Sequence, residues 1–279
     1  MITTKNIIIN GSKEKPVTLD VCYKQNGKPK PVIVFSHGFK GFKDWGHFNV
    51  MAKSFAEAGF VFIKFNFSHN GISPGNLLEF TDLDAFGNNN YLIELDDLKL
   101  VIDWALENIE MESEVNKDEL YLLGHSRGGG ITVIKAAEDT RVKKVCTWAS
   151  VSDIVNRNKQ RTVETWKKDG VVYAHNGRTK QEMPLFVQFY NTLLAHKDRL
   201  NITKAAKHLT IPFLIIHGTA DEAVSSNDAL ALRKASPHSE LAMIQGGDHT
   251  FDAKHPYRET ILRGNTEFVV NKTIDFFKN

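Results

Sequence analysis

The sequence predicts an α/β protein built on a parallel sheet with helices on both faces. Three observations carry this. Short apolar runs alternate with amphipathic helical stretches through most of the chain. Several runs, such as Val32-Ile33-Val34-Phe35, are apolar at every position, as strands buried on both faces must be. The loops after these runs gather Gly, Ser, Asp and His, at the strand ends where such sheets place their ligand sites.

Asn6–Asn10 and Val17–Lys24 read as two strands joined by a turn. The second alternates Val17, Leu19, Val21 and Tyr23 with Thr18, Asp20 and Lys24, which suits a half-exposed antiparallel edge. Val32–Phe35 follows as a buried strand. Phe48–Ala58 has helical spacing and stops at Gly59, and Phe60–Phe65 is the next buried strand. Its exit, Ser68-His69-Asn70-Gly71, reads as a structural turn. Residues 80–90 are polar and irregular. Leu92, Leu95, Leu98, Val101, Ile102, Ala105 and Ile109 then mark a long amphipathic helix. Leu120–Leu123 is a strand, Ile131–Glu138 a helix and Lys144–Ala149 a strand. The alternation breaks from Ser150 to about Leu209. It resumes with a strand at Ile211–Ile216, a helix at Asp228–Ala235 and a strand at Glu240–Gln245. A closing helix, Arg258–Phe277, turns Leu262, Phe268, Val269, Ile274 and Phe277 inward.

At 279 residues the chain can bury a sizeable core. It reads as one domain over 1–279 with an insertion at about 150–209. A net charge of +2, with no dense Lys/Arg cluster, argues against nucleic acid. Cys22 and Cys146 lie in separate apolar stretches and suit two core thiols in a reducing compartment. Met1–Gly11 does not read as a signal peptide, and no apolar run approaches the ~20 residues of a membrane span. The expectation is a cytoplasmic protein with no membrane partner.

Leu120–Leu123 runs into Gly124-His125-Ser126-Arg127-Gly128 and then a helix. A Gly-x-Ser-x-Gly turn between strand and helix is how a nucleophilic serine is mounted. By itself such a string arises by chance in on the order of one chain in ten of this length, so the rest of the chain must supply a histidine and an acid. The loop after Ile216 carries Asp221, and the loop after Gln245 carries His249. Serine, acid and histidine therefore follow one another at strand ends on one edge of the sheet. Glu222 and Asp248 are weaker rivals for the acid: one points away, and the other lies too close in sequence to hold His249.

His37-Gly38-Phe39, Gly124–Gly128, His217-Gly218-Thr219-Ala220-Asp221 and Asp248-His249 together resemble the α/β-hydrolase superfamily. The resemblance spans essentially the whole chain. It implies an eight-stranded, mostly parallel sheet with a small lid inserted after the strand near Ala149. It also implies roles: Ser126 as nucleophile, His249 as base, Asp221 as the acid that orients it. The oxyanion donors would be the backbone N–H groups of Phe39 and Arg127, with the Arg127 side chain structural or at a pocket rim. Trp166, Tyr173, Phe186, Phe189 and Tyr190 in the insertion are candidates to line an acyl or aryl pocket.

Trp166-Lys167-Lys168-Asp169-Gly170 and Asn176-Gly177-Arg178-Thr179 are similar to a bacterial branch of dienelactone-hydrolase-like and prolyl-oligopeptidase-like proteins that includes acyl and cinnamoyl esterases. Dienelactone hydrolases proper use cysteine where this chain has Ser126, and dehalogenases of this fold use an aspartate. Residues 151–205 hold ten Lys/Arg against five Asp/Glu, so no acidic patch for a peptide's ammonium is evident. The expected activity is a serine carboxylesterase cleaving small acyl or aryl esters through an acyl-enzyme, with no metal or cofactor. A serine peptidase acting on short or acylated peptides is the alternative within hydrolases. A catalytically silent binding module on the same scaffold is the alternative outside them.

Overall fold

In the computed structural model, which describes residues 1–108, 111–157 and 160–279, strands and helices alternate as expected. The elements in chain order are β1 (Ile2–Asn10), β2 (Pro16–Tyr23), β3 (Lys30–Ser36), α1 (Phe48–Glu57), β4 (Val61–Asn66), the small hairpin β5 (Ile72–Ser73) and β6 (Asn76–Phe80), α2 (Leu83–Gly87) and α3 (Tyr91–Glu107). Next come β7 (Val115–His125), α4 (Arg127–Glu138) and β8 (Val142–Trp148). The stretch after β8 holds α5 (Gln160–Asp169), the hairpin β9 (Val171–Asn176) and β10 (Gln181–Phe186), α6 (Val187–Ala195) and α7 (Ile202–His208). The chain closes with β11 (Phe213–Gly218), α8 (Ser226–Ala235), β12 (Glu240–Ile244) and α9 (Gly264–Lys278).

Eight strands form one sheet in the order β1-β2-β4-β3-β7-β8-β11-β12. β1 and β2 pair antiparallel, as do β2 and β4; every later pair is parallel. This is the α/β-hydrolase fold. Successive residues of the central strands feed opposite cores. Val32 and Val34 pack with α3, α4 and α8 on one face, while Ile33 and Phe35 pack with α1 and α9 on the other. Cys22 and Cys146 are free and buried. Among the described residues no helix is long and apolar enough to cross a membrane.

The structure corrects the sequence reading in three places. β2 is not a half-exposed edge. β1 covers it, and Asp20 is only 2% exposed. Residues 80–90 contain the end of β6 and all of α2, whose first turn is capped by the Asp82 carboxylate accepting from Ala85 N. α9 begins at Gly264 rather than at Arg258. Its buried stripe is Thr266, Val269, Val270, Thr273, Ile274 and Phe277, which puts Phe268 on the opposite side, 55% exposed. Ile109, assigned to the helix now seen as α3, lies outside the described residues.

Asp20 is tolerated inside because it belongs to a closed ion network. Lys64, its register partner on β4, reaches Asp20 Oδ2 at 2.5 Å and Asp44 Oδ1 at 2.6 Å. Lys43 reaches Asp20 Oδ1 at 2.9 Å and Asp44 Oδ2 at 2.6 Å. Burial opposes the charge on Asp44, but Lys64 and Lys43 outweigh it and hold the carboxyl at about 2. Two cations and two carboxylates cancel, so each is costly to remove alone. Asp20→Ala, which leaves two buried lysines to the Asp44 carboxylate alone, is expected to cost about 3–5 kcal/mol in urea unfolding, and a loss below about 1 kcal/mol would show that the network is not holding the β2–β4 seam.

Candidate active site

β7 ends at His125 and α4 begins at Arg127, leaving Ser126 alone in the turn with φ 56° and ψ −121°. Close packing forces this conformation. A Cβ on Gly124 would sit 2.4 Å from Gly128 O and Thr132 Oγ1, and one on Gly128 would sit 2.4 Å from Ser36 O and His37 O. Both glycines are required for the first turn of α4 to lie on the ends of β3 and β7. The strained serine is held by its own backbone: its N–H donates to Trp148 O at 2.8 Å, and its carbonyl accepts from Gly129 N at 3.0 Å.

The loops after β11 and β12 meet at this turn. Ser126 Oγ lies 3.0 Å from His249 Nε2, and His249 Nδ1 lies 2.8 Å from Asp221 Oδ2. The carboxylate is fully committed. Its Oδ1 accepts from Ala223 N and Val224 N, and its Oδ2 also faces His217 Nε2 at 3.2 Å. Burial works against the charge on Asp221, but the bonds from His217, His249 and Val224 win and hold it well below the usual carboxylate range. Asp248, the rival acid, instead accepts from Thr250 N and Asp252 N within its own loop. The arrangement suits proton transfer from the serine hydroxyl to the imidazole.

Gly38 comes close to the serine: a Cβ there would lie 2.9 Å from Ser126 Cβ. This brings the turn carrying Phe39 beside Ser126. The Arg127 N–H, at the first position of α4, has no acceptor within the helix. His37 shapes the same turn. Its Nδ1–H donates to Gly38 O at 2.9 Å, its Nε2 accepts from Asn70 Nδ2 at 3.3 Å, and burial holds it down to about 4. The Ser68–Gly71 exit of β4 is thus a support for that turn.

A cavity of about 200 Å3 opens beside Ser126. The rings of Phe39, Tyr91, Trp166 and Phe189 wall it, with Val151, Ile154 and Leu185 between them. Arg127 and Arg157 also line it. The Arg127 side chain is buried against Glu94 at 2.8 Å and lies 4.3 Å from the Tyr91 ring centroid, 5.2 Å from Phe189 and 5.4 Å from Phe39. Of the five insertion rings predicted for the pocket, Trp166 and Phe189 line it. Tyr190 stands behind, stacked on Trp166 at 5.7 Å. Phe186 packs onto Gly87 instead. Tyr173 is 61% exposed, because Ala174 and its register partner Met183 take the inward side of the β9–β10 hairpin.

Besides Val151, Ile154, Arg157 and Leu185 of the wall, four contributors escaped the sequence reading. Tyr91 and Glu94 open α3, far in sequence from Arg127, although a carboxylate between Ile93 and Leu95 is a signal of a buried partner. His125 and His217 sit inside the recognised motifs, where only their neighbours were given roles.

The prolyl oligopeptidase family profile matches residues 46–274. Monoglyceride lipase from Rattus norvegicus is 23% identical over 265 residues, covering 84% of this chain and 80% of that one. Among solved structures, Est1E from Butyrivibrio proteoclasticus superimposes with a TM-score of 0.71 at 18% identity, covering 99% of this chain and 98% of that chain. It has also been solved with ferulic acid bound. The α/β hydrolase GrgF from Penicillium sp. sh18 gives a TM-score of 0.75 at 17% identity, covering 100% and 98% of the two chains. These structural likenesses establish the fold.

The depressed Asp221 carboxyl makes stability depend on pH. A group whose folded pKa lies below its unfolded value contributes in full above the unfolded value, and that contribution is lost as pH falls through the folded one. The gap in unfolding free energy between the wild type and Asp221→Asn is expected to be flat above about pH 5 and to shrink below about pH 4. Urea unfolding across pH measures it. A gap independent of pH would mean that the carboxylate is not held by these donors.

Proposed function

The chain belongs to the prolyl oligopeptidase family, within the α/β-hydrolase superfamily, and on that footing we propose that it is a serine carboxylesterase cleaving small acyl or aryl esters. The observation that carries the reading is the unbroken line from Ser126 Oγ through His249 to Asp221, at 3.0 and 2.8 Å, beside a ring-walled cavity. Ser126 attacks the ester carbonyl while His249 Nε2 takes its proton. Asp221 keeps the proton on Nδ1 before the attack and stabilises the imidazolium after it. The N–H groups of Phe39 and Arg127 receive the oxyanion. His249 returns its proton to the leaving alcohol, and a water activated by the same imidazole then releases the acid from the acyl-enzyme. The chemistry needs no metal or cofactor.

The cavity supports a small acyl group. A void of ~150 Å3 holds benzene, so about 200 Å3 accommodates one ring and a short linker. The ferulic acid bound by Est1E is an aryl acid of that kind. No carboxylate lines the cavity among the described residues, so a substrate's ammonium finds no counter-charge there. The family's name keeps a peptidase acting on short or acylated peptides as a second reading.

Ser126→Ala is expected to abolish both ester turnover and labelling by a fluorophosphonate. Labelling that persists in the variant would remove Ser126 from the mechanism. Asp221→Asn is expected to lower kcat by about 10⁴-fold, because the imidazole then adopts the wrong tautomer. A panel of p-nitrophenyl esters and aminoacyl p-nitroanilides separates the two readings. Short-chain and aryl esters should turn over faster, and faster anilide cleavage would make the protein a peptidase.

A further inference from the structure

The turn that presents Ser126 carries a second imidazole with no part in the steps above. His125 Nε2–H donates to the main-chain carbonyl of His249 at 2.8 Å, and the two ring centroids lie 4.9 Å apart. On its other side a Cβ at Gly38 would come within 3.3 Å of His125 Nδ1, and the Phe48 ring lies at 6.5 Å. The ring therefore fills the space between the Phe39 turn, α1 and the loop carrying His249. Its bond fixes its tautomer, with the proton on Nε2. Burial, with the neighbouring His249 charge adding to it, lowers the His125 pKa to about 3, so it remains a neutral donor at any working pH.

Apart from His255 Nδ1, which accepts from Gly46 N, and Asp252 Oδ2, which accepts from Asn265 N, the other bonds of the His249 loop are local or run to the neighbouring loop. Gly247 O accepts from Ala220 N, Asp248 O accepts from Phe251 N, and the Asp248 side chain ties Thr250 and Asp252. Among the described residues, the bond from His125 is the one that fastens the main chain of this loop to the turn bearing the serine. Asp221 sets how the imidazole is rotated; it does not set how far the His249 backbone stands from Ser126.

We propose that His125 is a positioning residue, whose Nε2–H holds the His249 backbone at the distance where one imidazole reaches Ser126 Oγ and Asp221 together. The inference rests on the serine-hydrolase reading. Misplacing a reacting group by about 1 Å can cost 10²-fold in rate, and one neutral hydrogen bond at the anchor accounts for a fraction of that.

His125→Phe keeps a ring and removes the donor, whereas His125→Gln keeps an N–H donor and removes the ring. Each is compared with the wild type for kcat and KM on p-nitrophenyl acetate, for the rate of fluorophosphonate labelling of Ser126, and for melting temperature. The Phe variant is expected to lose about ten-fold in kcat and labelling rate with KM within two-fold, and the Gln variant to recover most of that loss. His125→Leu replaces the Phe variant should the latter not fold. Wild-type kcat without the donor, or an equal loss in the donor-bearing and donor-free variants, overturns the proposal. A wild type that labels neither at Ser126 nor elsewhere overturns the serine-hydrolase reading instead, and this inference with it.

Discussion

The first turn of α4 lies on the ends of β3 and β7 with no room for a Cβ at Gly124 or Gly128, and this contact organises the site. It drives Ser126 to φ 56°, a conformation that costs about 1–3 kcal/mol for a residue with a side chain. It also sets the Arg127 amide beside the turn that carries Gly38 and Phe39. The proposed nucleophile and both proposed oxyanion donors are thus placed by one close approach of backbone to backbone. Small adjustments are not available there, because carbonyl oxygens stand 2.4 Å from a Cβ at either position, joined at Gly124 by the Thr132 hydroxyl at the same distance.

Around this centre the protein manages charge in two ways. Arg127 and Glu94 are buried as a pair, and rings surround the cation, so its charge is spent within the wall of the cavity. His37 and His125 are instead kept neutral by burial, the first at about 4 and the second at about 3. Neutral imidazoles can donate and accept hydrogen bonds without placing positive charge beside His249, the proposed base. The network of Asp20, Lys43, Asp44 and Lys64 uses the first method only.

Much of the fold was legible because strands buried on both faces leave a local mark: Val32–Phe35 and Phe60–Phe65 announce themselves in a few residues. Ser126, Asp221 and His249 were legible for a related reason, since each follows directly on such a strand. What escaped depends on partners far along the chain. Asp20 looks solvent-facing until Lys43 and Lys64 are beside it, and Glu94 looks like an ordinary helix carboxylate until Arg127 arrives. Phe268 looks like core until the stripe of α9 fixes which side faces the sheet. The insertion was hardest, because its helices and hairpin are too short to reveal their inward side. The same composition therefore yields Trp166 in the wall and Tyr173 in solvent.

The insertion has a further consequence. Six of the ten described residues around the cavity, from Val151 to Phe189, come from one continuous stretch of chain, whereas Ser126, Asp221 and His249 come from three separate loops that must agree with one another. That stretch is also tied to itself, with Trp166 Nε1 donating to Leu185 O at 2.6 Å. Inheritance acts differently on the two parts. A change in one of the three loops must be matched in the others if the two hydrogen bonds are to be kept. The part of the wall that the insertion carries can be exchanged as one segment, with Phe39, Tyr91 and Arg127 left in place. A chain built this way can reshape its cavity while Ser126, Asp221 and His249 keep their places.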